Sequence, residues 1–184
     1  MSPATRVDPA APAAGTPPLA TGLEASVVLD AIRAVGTTHV ITVPDTHQKT
    51  VMSELETTEI PVLRVATEEQ ALGVYTGLWL SGAHPLALVQ QLGLFAATNA
   101  LRAYTHDQQI PLAILAGMYG RDVTRAVGED PGSAIRLCLP LLASLELRAT
   151  LIEGPQDAKL IAPALAAAYD ETITSVVLLG APTR

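Results

Sequence analysis

Short β-branched or apolar runs alternate with segments of helical period along nearly the whole chain, and this alternation limits the fold more than any other feature. Residues 24–35 place apolar side chains at helical spacing and stop at Gly36. The run HVITV at 39–43 reads as a short strand ending in Pro44. A second helix is expected over 48–56 and a second strand over 61–65. The clearest helix spans 67–82, where Ala71, Leu72, Tyr75, Leu78 and Trp79 share one face. Thr67 with Gln70 makes a capping-box pattern at its start, and Gly82 can close it. Further strands are expected over 85–90, 111–117, 149–153 and 175–179. A Gly-led helix should follow position 90, with others over 133–145, which Pro140 should kink or interrupt, and 157–168.

Strand and helix in strict alternation imply an α/β, doubly wound, mostly parallel sheet with helices on both faces and right-handed crossovers. Ligands of such sheets sit beyond the carboxyl ends of the strands. The segments 44–48, 66–70, 90–96 and 117–122 are therefore where function should lie.

Apolar residues make up 49% of the chain but aromatics only 3%, so Ala, Leu, Val and Ile must build the core. The net charge of −7, with no Lys/Arg cluster, argues against nucleic acid or an anionic membrane as partner. Cys138 is the only cysteine; it sits in an apolar run and reads as a buried, inert thiol. Residues 1–22, rich in Ala and Pro, are expected to form a disordered tail ahead of one domain over 23–184. That tail lacks the basic start and apolar core of a signal peptide, and no apolar stretch reaches membrane-spanning length, so a cytoplasmic protein is expected.

No phosphate loop, dinucleotide fingerprint, nucleophile elbow or HExxH pair occurs. His39, His47, His84 and His106 show no metal-ligand spacing, and Ser53, Ser81 and Ser133 lack the context of a nucleophile. What remains is a carboxylate at a helix start: Glu68 and Glu69 follow the Thr67 cap just past a strand, a position the helix dipole alone would favour. Gly73 and Gly77, four apart, suggest a close backbone approach on that helix. The run VQQLGLFAATNAL at 89–101 turns from a strand ending in Gln90 and Gln91, through Gly93, onto a helix.

Four segments in order resemble the pyrimidine-binding domain of thiamine diphosphate enzymes, in particular the small α subunits of sulfopyruvate and phosphonopyruvate decarboxylases. They are ITVPDTHQKTV (41–51), TEEQALGVYTGLWLSG (67–82), QQLGLFAATNAL (90–101) and IPLAILAGMYG (110–120). The resemblance implies a thiamine diphosphate-binding fold of the pyrimidine type and makes Glu68 the activating glutamate, with Glu69 the near alternative. A carboxyl group hydrogen-bonded to N1′ of the cofactor's pyrimidine supports the imino tautomer whose nitrogen deprotonates the thiazolium. It further implies Pro44, Gly93 and Phe95 beside the cofactor, and Asp45, Thr46, His47, Gln90 and Gln91 toward substrate.

Three departures qualify the resemblance. Phe95 and Ala96 stand where the family usually has Gly and Asn, Leu92 where Ser is common, and Tyr119 where an Arg often precedes the Gly after the fourth strand. Anionic sulfonate or phosphonate tails need cationic donors, so those two substrates come into question, a less charged 2-oxoacid becomes an alternative, and which 2-oxoacid is used stays open. The family's GDG metal motif is absent; GEDPGS at 128–133 reads as a turn. A separate β subunit is thus expected to hold the diphosphate and Mg2+, this chain binding no metal itself, in an α2β2 assembly active only when complete. The alternatives are a thiamine diphosphate-dependent carboligase subunit of the acetohydroxyacid synthase kind and a non-catalytic regulatory subunit.

Overall fold

A computed structural model describes residues 22–184. The tail expected over 1–22 lies outside the described residues except for Gly22. Six strands form one all-parallel sheet: β1 (His39–Thr42), β2 (Val62–Arg64), β3 (Pro85–Gln90), β4 (Ala113–Gly117), β5 (Arg148–Ile152) and β6 (Ser175–Leu179), in the order β2-β1-β3-β4-β6-β5. The central strands β3, β4 and β6 are buried almost throughout, whereas β2 at the edge is partly exposed. That contrast is the mark of a sheet covered on both faces.

The helices are α1 (Ala25–Ala34), α2 (Lys49–Leu55), α3 (Glu68–Leu80), α4 (Gln91–Ala96), α5 (Thr98–Arg102), α6 (Ser133–Arg136), α7 (Cys138–Ser144) and α8 (Ile161–Asp170). α1 packs on α2 and α8, and α8 on β4 and β6; α3 packs on β1 and β3, and α7 on β5. The doubly wound α/β architecture expected from the alternation is present.

The cap of α3 also forms, with a shift. Thr67 Oγ1 accepts from Gln70 N (3.2 Å), while the Gln70 side chain reaches one residue further back and accepts from Ala66 N (3.1 Å). The Tyr75 hydroxyl, fully buried, accepts from Ala113 N at 2.8 Å and so ties α3 to the start of β4. The Cys138 thiol is buried as expected, and burial pushes its pKa up to about 11.

Two expectations are corrected, at the start of α4 and over 155–160. No turn precedes the helix after β3: α4 begins at Gln91 itself, so Gly93 lies inside its first turn. Past Ala97 the chain continues through α5 into a π-helical turn, Ala103–Asp107. The helix expected over 133–145 is interrupted as Pro140 implied: two helices part at Leu137, which places Pro140 in the first turn of α7, where no N–H is needed. Residues 155–160 form a 3-10 turn, and regular helix starts only at Ile161, because Pro163 can stand without an N–H only near a helix start. The strands differ from expectation by a residue or two at their ends.

Replacing Tyr75 by Phe strands the Ala113 N–H in the core. The change should cost about 1–3 kcal/mol, read as a lowered midpoint with unchanged slope in urea denaturation.

Candidate active site

The chain leaves β1 toward β2 on one side and returns to β3 on the other, so the order reverses between β1 and β3. A crevice opens at the carboxyl ends there. Asp45, in the turn after β1, is buried at 5% exposure and sits at the centre of this region. Its Oδ1 accepts from His47 N (2.9 Å) and Gln90 Nε2 (2.8 Å), and its Oδ2 from Gln48 Nε2 (3.1 Å). Three donors offset much of the cost of burying a carboxylate. The Gln48 amide nitrogen also donates to Val89 O (2.8 Å) on β3, while its Oε1 is buried without a hydrogen-bond partner.

Gly117 at the end of β4 completes the fit. A Cβ there would lie 2.3 Å from Asp45 Oδ2 and 3.1 Å from both the Gln48 and His47 side chains. Gln48 and Gly117 are the two residues that sequence reasoning missed. Their signal was faint: a Gln at the foot of a helix, and a Gly closing an apolar strand at its carboxyl end.

His47 is half-buried, and its Nε2 faces Ala181 O at 3.1 Å. With a carbonyl as partner Nε2 carries a proton. Burial lowers the pKa of His47 below 6.5, opposed by the Asp45 carboxylate and by backbone hydrogen bonds. Thr46 and Pro44 are exposed, and Phe95 is half-buried against the core.

Glu68 and Gly93 come together although 25 residues separate them (93 − 68). A Cβ on Gly93 would fall 2.1 Å from Glu68 Cγ and 2.2 Å from Cδ and Oε1, so the acidic side chain lies flat on the glycine. Glu68 is half-buried, whereas Glu69 is exposed, which separates the two acids that position alone could not. The Glu68 carboxyl group takes no hydrogen bond or ion pair among the described residues.

Gln91 is buried and locked. Its Nε2 donates to Tyr119 O (3.1 Å) and its Oε1 accepts from Tyr119 N (3.0 Å), pinning the segment after β4. Arg121 is locked as well. Its guanidinium is fully buried and bonds Glu153 (Nε–Oε1 2.8 Å), Asp130 (3.2 Å), and the carbonyls of Asp122 and Arg125. Asp130 belongs to the GEDPGS run, which leaves a 3-10 turn at Val127–Glu129 and enters α6 at Ser133, with Asp130 Oδ1 accepting from Gly132 N (2.9 Å) between them. Among the described residues no group of three or more His, Cys, Asp or Glu is placed to hold a metal ion. None of their helices is long and apolar enough to cross a membrane.

Comparison with known proteins adds two kinds of likeness. No protein-family model matches the chain. It is 33% identical over 94 residues to the sulfopyruvate decarboxylase subunit alpha of Methanococcus maripaludis, a match covering 50% of this chain and 56% of that one. It is 30% identical over 93 residues to the sulfopyruvate decarboxylase of Methanosarcina acetivorans, covering 50% of this chain and 24% of that protein. In sequence, half of this chain is similar to decarboxylases. The matches thus span less than two thirds of either relative's length. In structure the chain matches benzoylformate decarboxylase from Polynucleobacter necessarius with a TM-score of 0.63 at 18% identity, over 84% of this chain and 29% of that one. The shared architecture is the doubly wound parallel fold.

The lowered pKa of His47 fixes the sign of a pH effect. The unfolded chain takes up a proton near pH 6.5 that the folded chain resists, so this contribution to stability is complete above pH 6.5 and declines as pH falls below it. Thermal melts of wild type and His47→Asn from pH 7.5 to 5.5 should show a shallower acid-side decline in the variant.

Proposed function

We propose that this chain is the pyrimidine-binding α subunit of a thiamine diphosphate-dependent 2-oxoacid decarboxylase. The observation that carries this reading is the Glu68 carboxyl group, half-buried, unpartnered within the described residues and laid on a glycine that admits no Cβ. A structural acid would be paired or solvated; this one is held ready for a polar atom from outside the chain. The residues therefore fit an aminopyrimidine: Glu68 would hydrogen-bond its N1′, and Gly93 leaves room for the carboxyl group to do so. Pro44 and Phe95 border the ring. When bound, the cofactor supplies the nucleophilic carbon and the electron sink for loss of CO2.

The remaining residues divide by role. Asp45, Thr46, His47 and Gln90 form the wall toward substrate, with Asp45 holding Gln90 and the His47 backbone in place. His47 stands on that wall with its Nε2 on the Ala181 carbonyl. Gln91 acts at one remove, by fixing Tyr119. Arg121 has its guanidinium consumed by Glu153, Asp130 and two carbonyls, so it offers nothing to a sulfonate or phosphonate. That supports a 2-oxoacid with a less charged tail.

The diphosphate and its Mg2+ are held by residues beyond 22–184, which we assign to a separate β subunit in an α2β2 cytoplasmic assembly. The name of the Methanococcus maripaludis relative, a subunit alpha, supports a divided enzyme. The structural role of Asp130 also leaves the GEDPGS turn without a free carboxylate at that position.

The test is reconstitution with the β partner, thiamine diphosphate and Mg2+, followed by CO2 release from a panel of 2-oxoacids. Glu68→Gln should lower kcat by about 10²–10⁴-fold, the range for a positioned proton-transfer group. Gly93→Ala, which pushes Glu68 aside, should lower it by at least about tenfold while the complex still assembles. An unaffected Glu68→Gln complex would exclude catalysis by this carboxyl group.

A further inference from the structure

At the amino end of the sheet, opposite the crevice, a cavity of about 620 Å³ opens beneath β4, β5 and β6. Its volume lies within the range of small-molecule sites. Ile110, Leu147 and Ile173 give it apolar walls, and the Thr105 and Thr174 hydroxyls, 2.8 Å apart, add a polar spot. The exposed lining residues include Gln109, Glu146 and Thr172, and these are the only non-glycine residues among those described with positive φ (54°, 56° and 52°).

Each of the three closes a helical segment just before a strand, the position where glycine is the cheapest residue. The chain does use glycine for that task elsewhere at the same end: Gly36 (φ 69°) before β1 and Gly82 (φ 87°) before β3. The side chains of Gln109 and Glu146 make no hydrogen bond among the described residues, and Thr172 reaches only its neighbour's carbonyl, Glu171 O at 2.8 Å. All three therefore carry backbone strain for side chains that do little within the chain. Strain gathered at one cavity is the pattern of a ligand site, and the π-helical turn that supplies Thr105 is a second departure of the same kind.

We infer that this cavity binds a small aliphatic amino acid, recognised as a zwitterion. Glu146 offers an unpaired carboxylate for the ammonium group. Arg148, held flat by two hydrogen bonds to Glu171 (3.1 and 2.9 Å), keeps donors free on its guanidinium for the carboxylate. No aromatic ring lines the cavity, which disfavours a nucleobase, and one charge of each sign, Glu146 and Arg148, lines it, which suits a zwitterion better than a phosphate. The alkyl side chain lies on the Ile110, Leu147 and Ile173 walls.

Thermal shift of the full chain tests this with L-leucine, 4-methylpentanoate and isoamylamine as probes. L-leucine should raise the Tm saturably, while the two analogues lacking one charge should bind at least about tenfold more weakly, an expected loss of one charge-assisted contact each. Glu146→Gly, by relieving strain, should raise the ligand-free Tm by about 2–4 °C and abolish the leucine effect. Arg148→Gln should abolish that effect with little change in the ligand-free Tm, since its ion pair with Glu171 is exposed. A leucine shift that is absent, or that persists in both variants, overturns the proposal; so does a Glu146→Gly variant that melts below wild type.

Discussion

The buried carboxylate of Asp45 is the constraint around which the functional end of the molecule is arranged. A carboxylate at 5% exposure must find donors or lose its charge. It finds them on the turn after β1 and at the end of β3, and it forces β4 to end in a residue without a side chain. One group thereby sets the relative heights of three adjacent strand ends. Because Gln48 spans from Asp45 to the Val89 carbonyl, the turn after β1 is bound to the sheet and not merely placed above it. The crevice at the switch point consequently has a rigid polar floor, and whatever binds there meets side chains whose rotamers are already settled.

The same economy governs the second pair. Glu68 gains its position from the α3 cap, where Thr67 and Gln70 fix the first turn, and from the missing side chain at Gly93. Partial burial distinguishes Glu68 from the exposed Glu69 one residue on. Neither the cap nor the glycine would suffice singly, since the cap fixes only the backbone and the glycine only the space.

Much of this was legible in the sequence, and the divide follows a physical line. Local period revealed the order of strands and helices, because burial on one helix face or on both sheet faces imprints itself within a window of a dozen residues. The Thr67 cap, the stop at Gly36 and the disruption by Pro140 were visible for the same reason. The start of α4 was not. A strand passing into a helix without a turn depends on Gln91 bonding the backbone of Tyr119, 28 residues away. Likewise Gln48 looked like an ordinary residue at a helix foot, and Gly117 like an ordinary strand end. Their importance comes from meeting Asp45, a contact that only the folded sheet creates. Resemblance singled out Glu68 and Gly93 separately, and the contact between them belongs to the fold alone.

Arg121 shows why a charge in the right stretch of sequence is not yet a binding group. A buried guanidinium demands partners for its five donors, and leaving them unmet would cost more than the charge could return to a ligand. Here Glu153, Asp130 and two carbonyls meet that demand, so the arginine builds the segment after β4 instead of serving the crevice. At the amino end of the sheet the logic runs the other way. Arg148 is half exposed, its pairing with Glu171 occupies only part of its donor set, and the neighbouring Glu146 is left unpaired on a strained backbone. Saturated charges at one end therefore hold the scaffold rigid, while unsaturated ones at the other stay available to solvent and to whatever displaces it.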